Sequence, residues 1–260
     1  MRAPRVQRPV LAIGGLVFVG AGAAVAFGIF DESSVTHRES VAGVGRIELD
    51  KGPGNVTIRA GDVEAATVTE TKTYRWGGGD PAFEHRDDVL TLPDCGMWCT
   101  TSYEIVVPRG VAVSGEIGSG DLEISGAESL DVEVGSGDAR VSDVEGDARL
   151  DAGSGESELT SIGGAVTVDV GSGGIIGRGL DGPVRAETGS GGIDLALARP
   201  ASVTASTGSG DISVMVPRGG YRLEGDSGSG SREIGVDTSP DAQHTLSLDT
   251  GSGDVTVRRR

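Results

Sequence analysis

The stretch Val166-Thr167-Val168-Asp169-Val170-Gly171-Ser172-Gly173-Gly174-Ile175-Ile176 decides the fold. Valines alternate with polar residues, a Gly-Ser-Gly tripeptide interrupts them, and apolar residues resume. Period two is the signature of a strand. Glycine on both sides of a serine marks a tight corner that can adopt positive φ. The phrase recurs in both directions. Gly-Ser-Gly begins at Gly118, Gly135, Gly153, Gly171, Gly189, Gly208, Gly228 and Gly251, at spacings of 17, 18, 18, 18, 19, 20 and 23 residues. Eight copies at a nearly fixed period define a repeat architecture. Val132/Val134, Leu150/Ala152, Ala186/Thr188 and Leu248/Thr250 precede the corner. Leu122/Ile124, Ala139/Val141, Ile193/Leu195, Ile212/Val214 and Val255/Val257 follow it. A second turn, often with glycine (Gly126, Gly146, Gly163-Gly164, Gly182), closes each unit. Two strands of about five residues and two turns of about four make roughly 18, so one period is one two-strand coil.

Two assemblies fit this unit. A meander pairs each strand with the next, whereas a solenoid stacks equivalent strands of successive coils in parallel. The near-constant period favours the solenoid, because stacked coils need equal circumference. The expectation is an all-β chain: a parallel β-solenoid of about eight coils over residues 111–260, roughly 40 Å long at about 4.8 Å per coil. Its interior is lined by small side chains, which accounts for only 3% aromatics. The residue before the corner becomes a hydroxyl in later copies (Thr188, Thr207, Ser227, Thr250), giving a ladder that stacked strands satisfy mutually. The residue after it is often acidic (Asp121, Asp138, Glu156, Asp211, Asp254). Stacked acids suggest calcium, but three of eight copies lack the acid and the turn offers no second ligand, so a polar corner residue is the simpler reading. No metal or cofactor is expected.

Residues 46–110 differ and are expected to form an N-terminal β cap. Ile47-Glu48-Leu49, Val56-Thr57-Ile58 and Ala66-Thr67-Val68 alternate, and Gly52-Pro53-Gly54-Asn55 is a worn version of the repeat corner. Tyr74, Trp76, Phe83, Trp98 and Tyr103 gather here, with the two cysteines, Cys95 and Cys99. A solenoid must close its exposed sheet edge, and a bulky segment does so. The functional alternative is a binding patch around Trp76 and Trp98 for a glycan or peptide.

Val10–Phe30 is 21 residues without a charge, close to the roughly 20 that span a bilayer as a helix. Arg2, Arg5 and Arg8 precede it, and Asp31 and Glu32 follow. The positive flank stays inside, so residues 1–30 read as a single-pass anchor with an extracytoplasmic C-terminal domain. A cleaved signal peptide is the alternative, with Ala24-Val25-Ala26 as the small-x-small site. Residues 31–45 read as a linker. In an exported chain, the close pair Cys95 and Cys99 is expected as a disulfide. Without Arg2, Arg5 and Arg8, 19 of the 22 basic residues remain outside against 39 acids, a net −20. Such a surface opposes nucleic acid.

The run Val107-Pro108-Arg109-Gly110 through Gly118-Ser119-Gly120-Asp121-Leu122-Glu123-Ile124, with its further Gly-Ser-Gly-Asp corners, resembles the bacterial putative-adhesin family of β-strand-repeat envelope proteins, also called toastrack domains. Gly52-Pro53-Gly54-Asn55-Val56-Thr57-Ile58 resembles that family's N-terminal turn. The resemblance spans about residues 46–258. It implies an extracytoplasmic parallel β-solenoid, in some members linked to envelope-stress sensing, with no catalytic residues to carry over. The residues agree. There is no Gly-x-Ser-x-Gly elbow and no Gly-Lys phosphate loop, and the three histidines are scattered. A non-catalytic structural, sensory or adhesin-like module of a bacterial envelope is therefore expected, with the membrane and an envelope protein or glycan as partners. The alternatives are a secreted binding protein using the aromatic segment, and last a carbohydrate-active β-helix enzyme.

Overall fold

The computed structural model describes residues 33–75, 81–96 and 98–260, which form two sheets of 12 and 11 strands. The expected membrane segment and Trp76 lie outside the described residues. Each repeat gives one strand to each sheet. Strands Ala112–Ser119, Leu130–Ser136, Ala148–Ser154, Val166–Ser172, Val184–Ser190 and Val203–Ser209 lie side by side and parallel. Their register runs Ser119, Ser136, Ser154, Ser172, Ser190, Ser209, with every corner serine over its counterpart. The strands after the corner stack likewise, Ile175 over Ile193 over Ile212. The meander is thereby excluded. Stacking continues through the corners, where the N–H groups of Gly137, Gly155 and Gly173 donate to the carbonyls of Ser154, Ser172 and Ser190 at 3.1, 3.1 and 2.9 Å.

Both corner glycines are needed, for different reasons. In the coil that begins at Gly171 the positive φ, +149°, belongs to Gly173. Gly171 itself is required by close approach, since a Cβ there would stand 2.6 Å from the carbonyl oxygen of Gly153 in the coil below. The sequence alone does not tell these two roles apart.

The eight coils expected over residues 111–260 are all present, two further layers from residues 46–108 bring the stack to ten, and its ends do not follow chain order. The pair Val89–Pro93 and Cys99–Pro108 forms the outermost parallel coil at the N-terminal end, with only antiparallel strands beyond it. Arg46–Pro53 and Val56–Gly61 lie inside it, against Ala112–Ser119 and Leu122–Ser125. At the other end, His244–Thr250 and Val255–Arg259 insert between the Val203–Val216 coil and the pair Tyr221–Glu224 and Arg232–Ile234. Two layers escape a count of Gly-Ser-Gly because their corners are Gly52-Pro53-Gly54 and the cysteine loop. The first and last regular coils are thus each held between neighbours, and later or earlier chain covers them.

The cap is also smaller and differently built than residues 46–110. Residues 46–61 are an ordinary coil. Ala65–Tyr74 pairs antiparallel with Cys99–Pro108, and Ser33–Ala42 pairs antiparallel with Ala65–Tyr74. Residues 33–42, expected as linker, therefore form the edge strand. Their alternating Val35, His37, Val41 and matching length let them extend the sheet.

Inside, buried Val, Leu, Ile and Ala fill the narrow space between the sheets. Only the two ends admit larger residues. Tyr103 is buried in the outermost N-terminal coil and Tyr221 in the outermost C-terminal one, where the Tyr221 hydroxyl donates to the carbonyl of Pro217 at 3.0 Å. The expected hydroxyl ladder exists but is satisfied otherwise. Thr188, Thr207 and Thr250 do not bond one another. They donate to the carbonyls of Gly173, Gly191 and Gly210 in the adjacent layer, at 3.0, 3.0 and 2.9 Å.

Candidate functional site

Side chains after the corner form a ridge along the stack. The Asn55 amide oxygen accepts from the N–H of Asp121 at 2.9 Å; Asp121 accepts from Asp138 and Asp138 from Glu156, both at 3.1 Å. The line breaks at Gly174 and Gly192, which have no side chain, and resumes with Asp211 to Asp254 and Asp254 to Ser231, both at 2.8 Å. Asp121, Asp138, Asp211 and Asp254 thus each cap the backbone of the next layer. The Glu156 N–H, and then Arg140, hold the Asp138 carboxyl below its ordinary range. The N–H and hydroxyl of Ser231 do the same for Asp254. This is a structural use of the acids that neither the calcium reading nor the generic turn reading anticipated.

The N-terminal end differs in chemistry. Cys95 and Cys99 form the expected disulfide, with Cα atoms 5.7 Å apart. Its loop occupies the place that Gly-Ser-Gly fills elsewhere. Asp94 accepts from the N–H of Gly96 at 3.0 Å, and Gly96 and Trp98 both have positive φ, +89° and +74°. Trp98 points outward, 66% exposed, the most exposed large apolar side chain among the described residues. Its carbonyl accepts from the N–H of Arg75 at 3.2 Å. Thr73, Tyr74, Arg75, Trp98, Cys99 and Thr100 line an open recess of about 300 Å³. Of the expected Trp76–Trp98 patch, the structure thus places Trp98, with Tyr74 and Arg75 beside it.

Behind this corner lies a residue that the sequence reading did not single out. Glu70 is fully buried. Its carboxylate accepts from the N–H of Ala82 at 3.1 and 3.2 Å, and from the Tyr103 hydroxyl at 3.4 Å. Burial, and then the neighbouring Glu70 charge, push the Tyr103 phenol well above its usual range. His37 sits opposite Glu70 on the edge strand. The signal was present, because Ala66, Val68 and Glu70 alternate and put an acid at an inward position. Here the acid ties the returning chain at Ala82 to the sheet.

The histidines stay apart. His37 is on the N-terminal edge of one sheet, His85 on the N-terminal edge strand of the other, and His244 near the far end beside Tyr221. Among the described residues, no group of three or more His, Cys, Asp or Glu is placed to hold a metal ion.

The register of parallel two-strand coils defines a toastrack-type β-solenoid. The chain belongs to the Toastrack DUF4097 family, whose model matches residues 96–258, more than half of it. Solved structures similar to it include a putative adhesin from Bacteroides fragilis (14% identity, covering 90% of this chain and 100% of that one, TM-score 0.43). Another is a putative adhesin from Parabacteroides distasonis (15% identity, 87% and 98% coverage, TM-score 0.45). A third is a putative cell adhesion protein from Clostridium sporogenes (10% identity, 88% and 100% coverage, TM-score 0.26). No curated protein matches the chain.

Proposed function

We propose that this chain is a non-catalytic, extracytoplasmic module of a bacterial cell envelope, held to the membrane by its N-terminal segment and serving as a rigid structural, sensory or adhesin-like projection. The continuous in-register stack carries this reading. Its corners are too short to build a cleft, and Asp121, Asp138, Asp211 and Asp254 on the corner ridge are each spent on the backbone of the next layer. Twelve strands at about 4.8 Å give a projection of roughly 50 Å. An acidic surface keeps such a rod off anionic lipid and away from its own copies. Membership of the toastrack family supports the same class. Fractionation of cells expressing the full chain with a C-terminal tag tests it. The protein should stay in the membrane pellet through a carbonate wash and be digested by protease added outside intact, wall-stripped cells. Recovery from the medium with a new N-terminus near Phe27 would sink the anchored reading.

The exposure of Trp98 beside Tyr74 and Arg75 favours one second reading, a secreted protein that binds a glycan or peptide there. It predicts recovery in the medium, so the same fractionation separates the two.

A further inference from the structure

We infer that the Trp98 corner is a membrane-interface contact that seats the N-terminal end of the stack on the outer leaflet. This rests on the anchored reading above, in which Val10–Phe30 crosses the bilayer and the chain emerges at Asp31.

Three observations carry it. The first is placement. The described chain begins at Ser33, which pairs with Tyr74, and Tyr74 pairs in turn with Cys99. Two strand spacings set Ser33 and Cys99 about 10 Å apart. Two residues, Asp31 and Glu32, lie between Phe30 and Ser33, so at most about 11 Å of extended chain joins them. Adding the step of about 3.8 Å from Cys99 to Trp98, the Trp98 backbone stands within roughly 25 Å of the point where the apolar segment ends. No other corner of the stack is so near, because each further layer adds about 4.8 Å.

The second is chemistry. Tryptophan and tyrosine concentrate at the headgroup level, where the ring body is shed from water and the polar edge stays wet. Arg75 is exposed beside them, and a guanidinium suits a lipid phosphate. Thr73 and Thr100 add hydroxyls on the same recess. Asp94 is the acid at this corner and its carboxylate accepts from the Gly96 N–H, so with Arg75 beside it the corner repels anionic headgroups less than the acid-lined ridge does.

The third is presentation. An exposed indole is unfavourable in water, yet this one is braced there. The Cys95–Cys99 bond closes the loop, and the Arg75–Trp98 backbone bond ties it to the neighbouring strand. A loop made only to close a sheet edge would turn the ring inward, as Tyr103 and Tyr221 are turned.

The test uses the full chain reconstituted in phosphatidylcholine vesicles containing some phosphatidylglycerol. The chain has two tryptophans, so Trp76→Phe leaves Trp98 as the sole indole. Should that variant fold poorly, the difference between the unaltered chain and Trp98→Phe isolates the same signal. Lipids brominated at graded depths then report on position. The inference predicts blue-shifted Trp98 emission, quenched most by bromines near the top of the acyl chains. Emission of a water-exposed indole, unquenched while the chain resists a carbonate wash, overturns the inference and leaves the anchor standing. A response to added envelope oligosaccharide without bromine quenching also overturns it, in favour of a glycan site. Release of the chain by the wash overturns the anchored reading and this inference with it.

Discussion

The N–H of Gly251 donates to the carbonyl of Thr207 at 3.1 Å, although a complete Gly-Ser-Gly unit, the one at Gly228, lies between them in the chain. On the other face of Gly251, its carbonyl accepts from the N–H of Ser229. The last corner in sequence is therefore an interior corner, and Gly228 belongs to the outermost layer. A Cβ at Gly251 would stand 2.7 Å from the carbonyl oxygen of Gly208, much as one at Gly171 would stand 2.6 Å from that of Gly153. Gly251→Val should thus lower the melting temperature about as much as Gly171→Val, each by an overpacking cost of about 1–3 kcal/mol. Gly173→Val should be worse, because positive φ adds backbone strain to a clash with Gly155. Ser172→Ala should stay within about 1 kcal/mol of the parent. A silent Gly251→Val beside a damaging Gly171→Val would mean that the C-terminal coil is not inserted.

Ser157 marks a local misfit. Its hydroxyl is buried without a hydrogen-bond partner, in a row otherwise filled by Ala139 and Ile175. Removing an unsatisfied buried hydroxyl relieves a desolvation cost of about 1–3 kcal/mol. Ser157→Ala should raise the melting temperature in thermal unfolding. A clear drop would show that the hydroxyl has a partner after all.

The corner acids make stability depend on acid pH. Asp138 and Asp254 have folded pKa values below the ordinary 3.8, through backbone N–H donors in the next layer. A lowered folded pKa means that the unfolded chain binds protons first. The stabilisation is complete above the ordinary value and is lost as pH falls through the folded one. Acid titration followed by circular dichroism should show stability falling below about pH 4. The double variant Asp138→Asn, Asp254→Asn should flatten that slope while keeping the acceptor, as Asn55 does in the first coil. An unchanged slope would mean that these ridge acids do not set the acid dependence.

Glu70 should tolerate Glu70→Gln far better than Glu70→Ala. Glutamine keeps an acceptor for the Ala82 N–H and the Tyr103 hydroxyl, whereas alanine leaves the half-buried N–H and the buried hydroxyl without one, at about 1–3 kcal/mol. Chemical denaturation of the two variants decides this. Equal losses would mean that the charge itself, and not its acceptor role, holds the cap.

Much of this was legible because the repeat is regular. Period-two alternation and one Gly-Ser-Gly per coil give the strands, the parallel stack and its register. The layer order at the ends was not legible, since sequence records chain order while the solenoid is ordered by pairing between distant strands. Tyr221 offered a hint as a lone bulky residue in the repeat, suited to the open end of a narrow core. Of the candidate site, the cysteine pair and Trp98 were legible from composition. The proximity of Trp98 to Ser33 was not, because it arises from two antiparallel strands that only the structure sets side by side. Glu70 is hard to read from sequence because an acid within an alternating strand looks exposed unless its face is followed from Ala66 and Val68.

The first and last regular coils are clamped between neighbours, and amide hydrogen exchange reads this out strand by strand. Strands His244–Thr250 and Val255–Arg259 should exchange as slowly as Val166–Ser172 in the middle, and more slowly than Tyr221–Glu224 and Arg232–Ile234. Fast exchange in the C-terminal strands, with protection at 221–234, would contradict it and restore a stack that simply follows the chain.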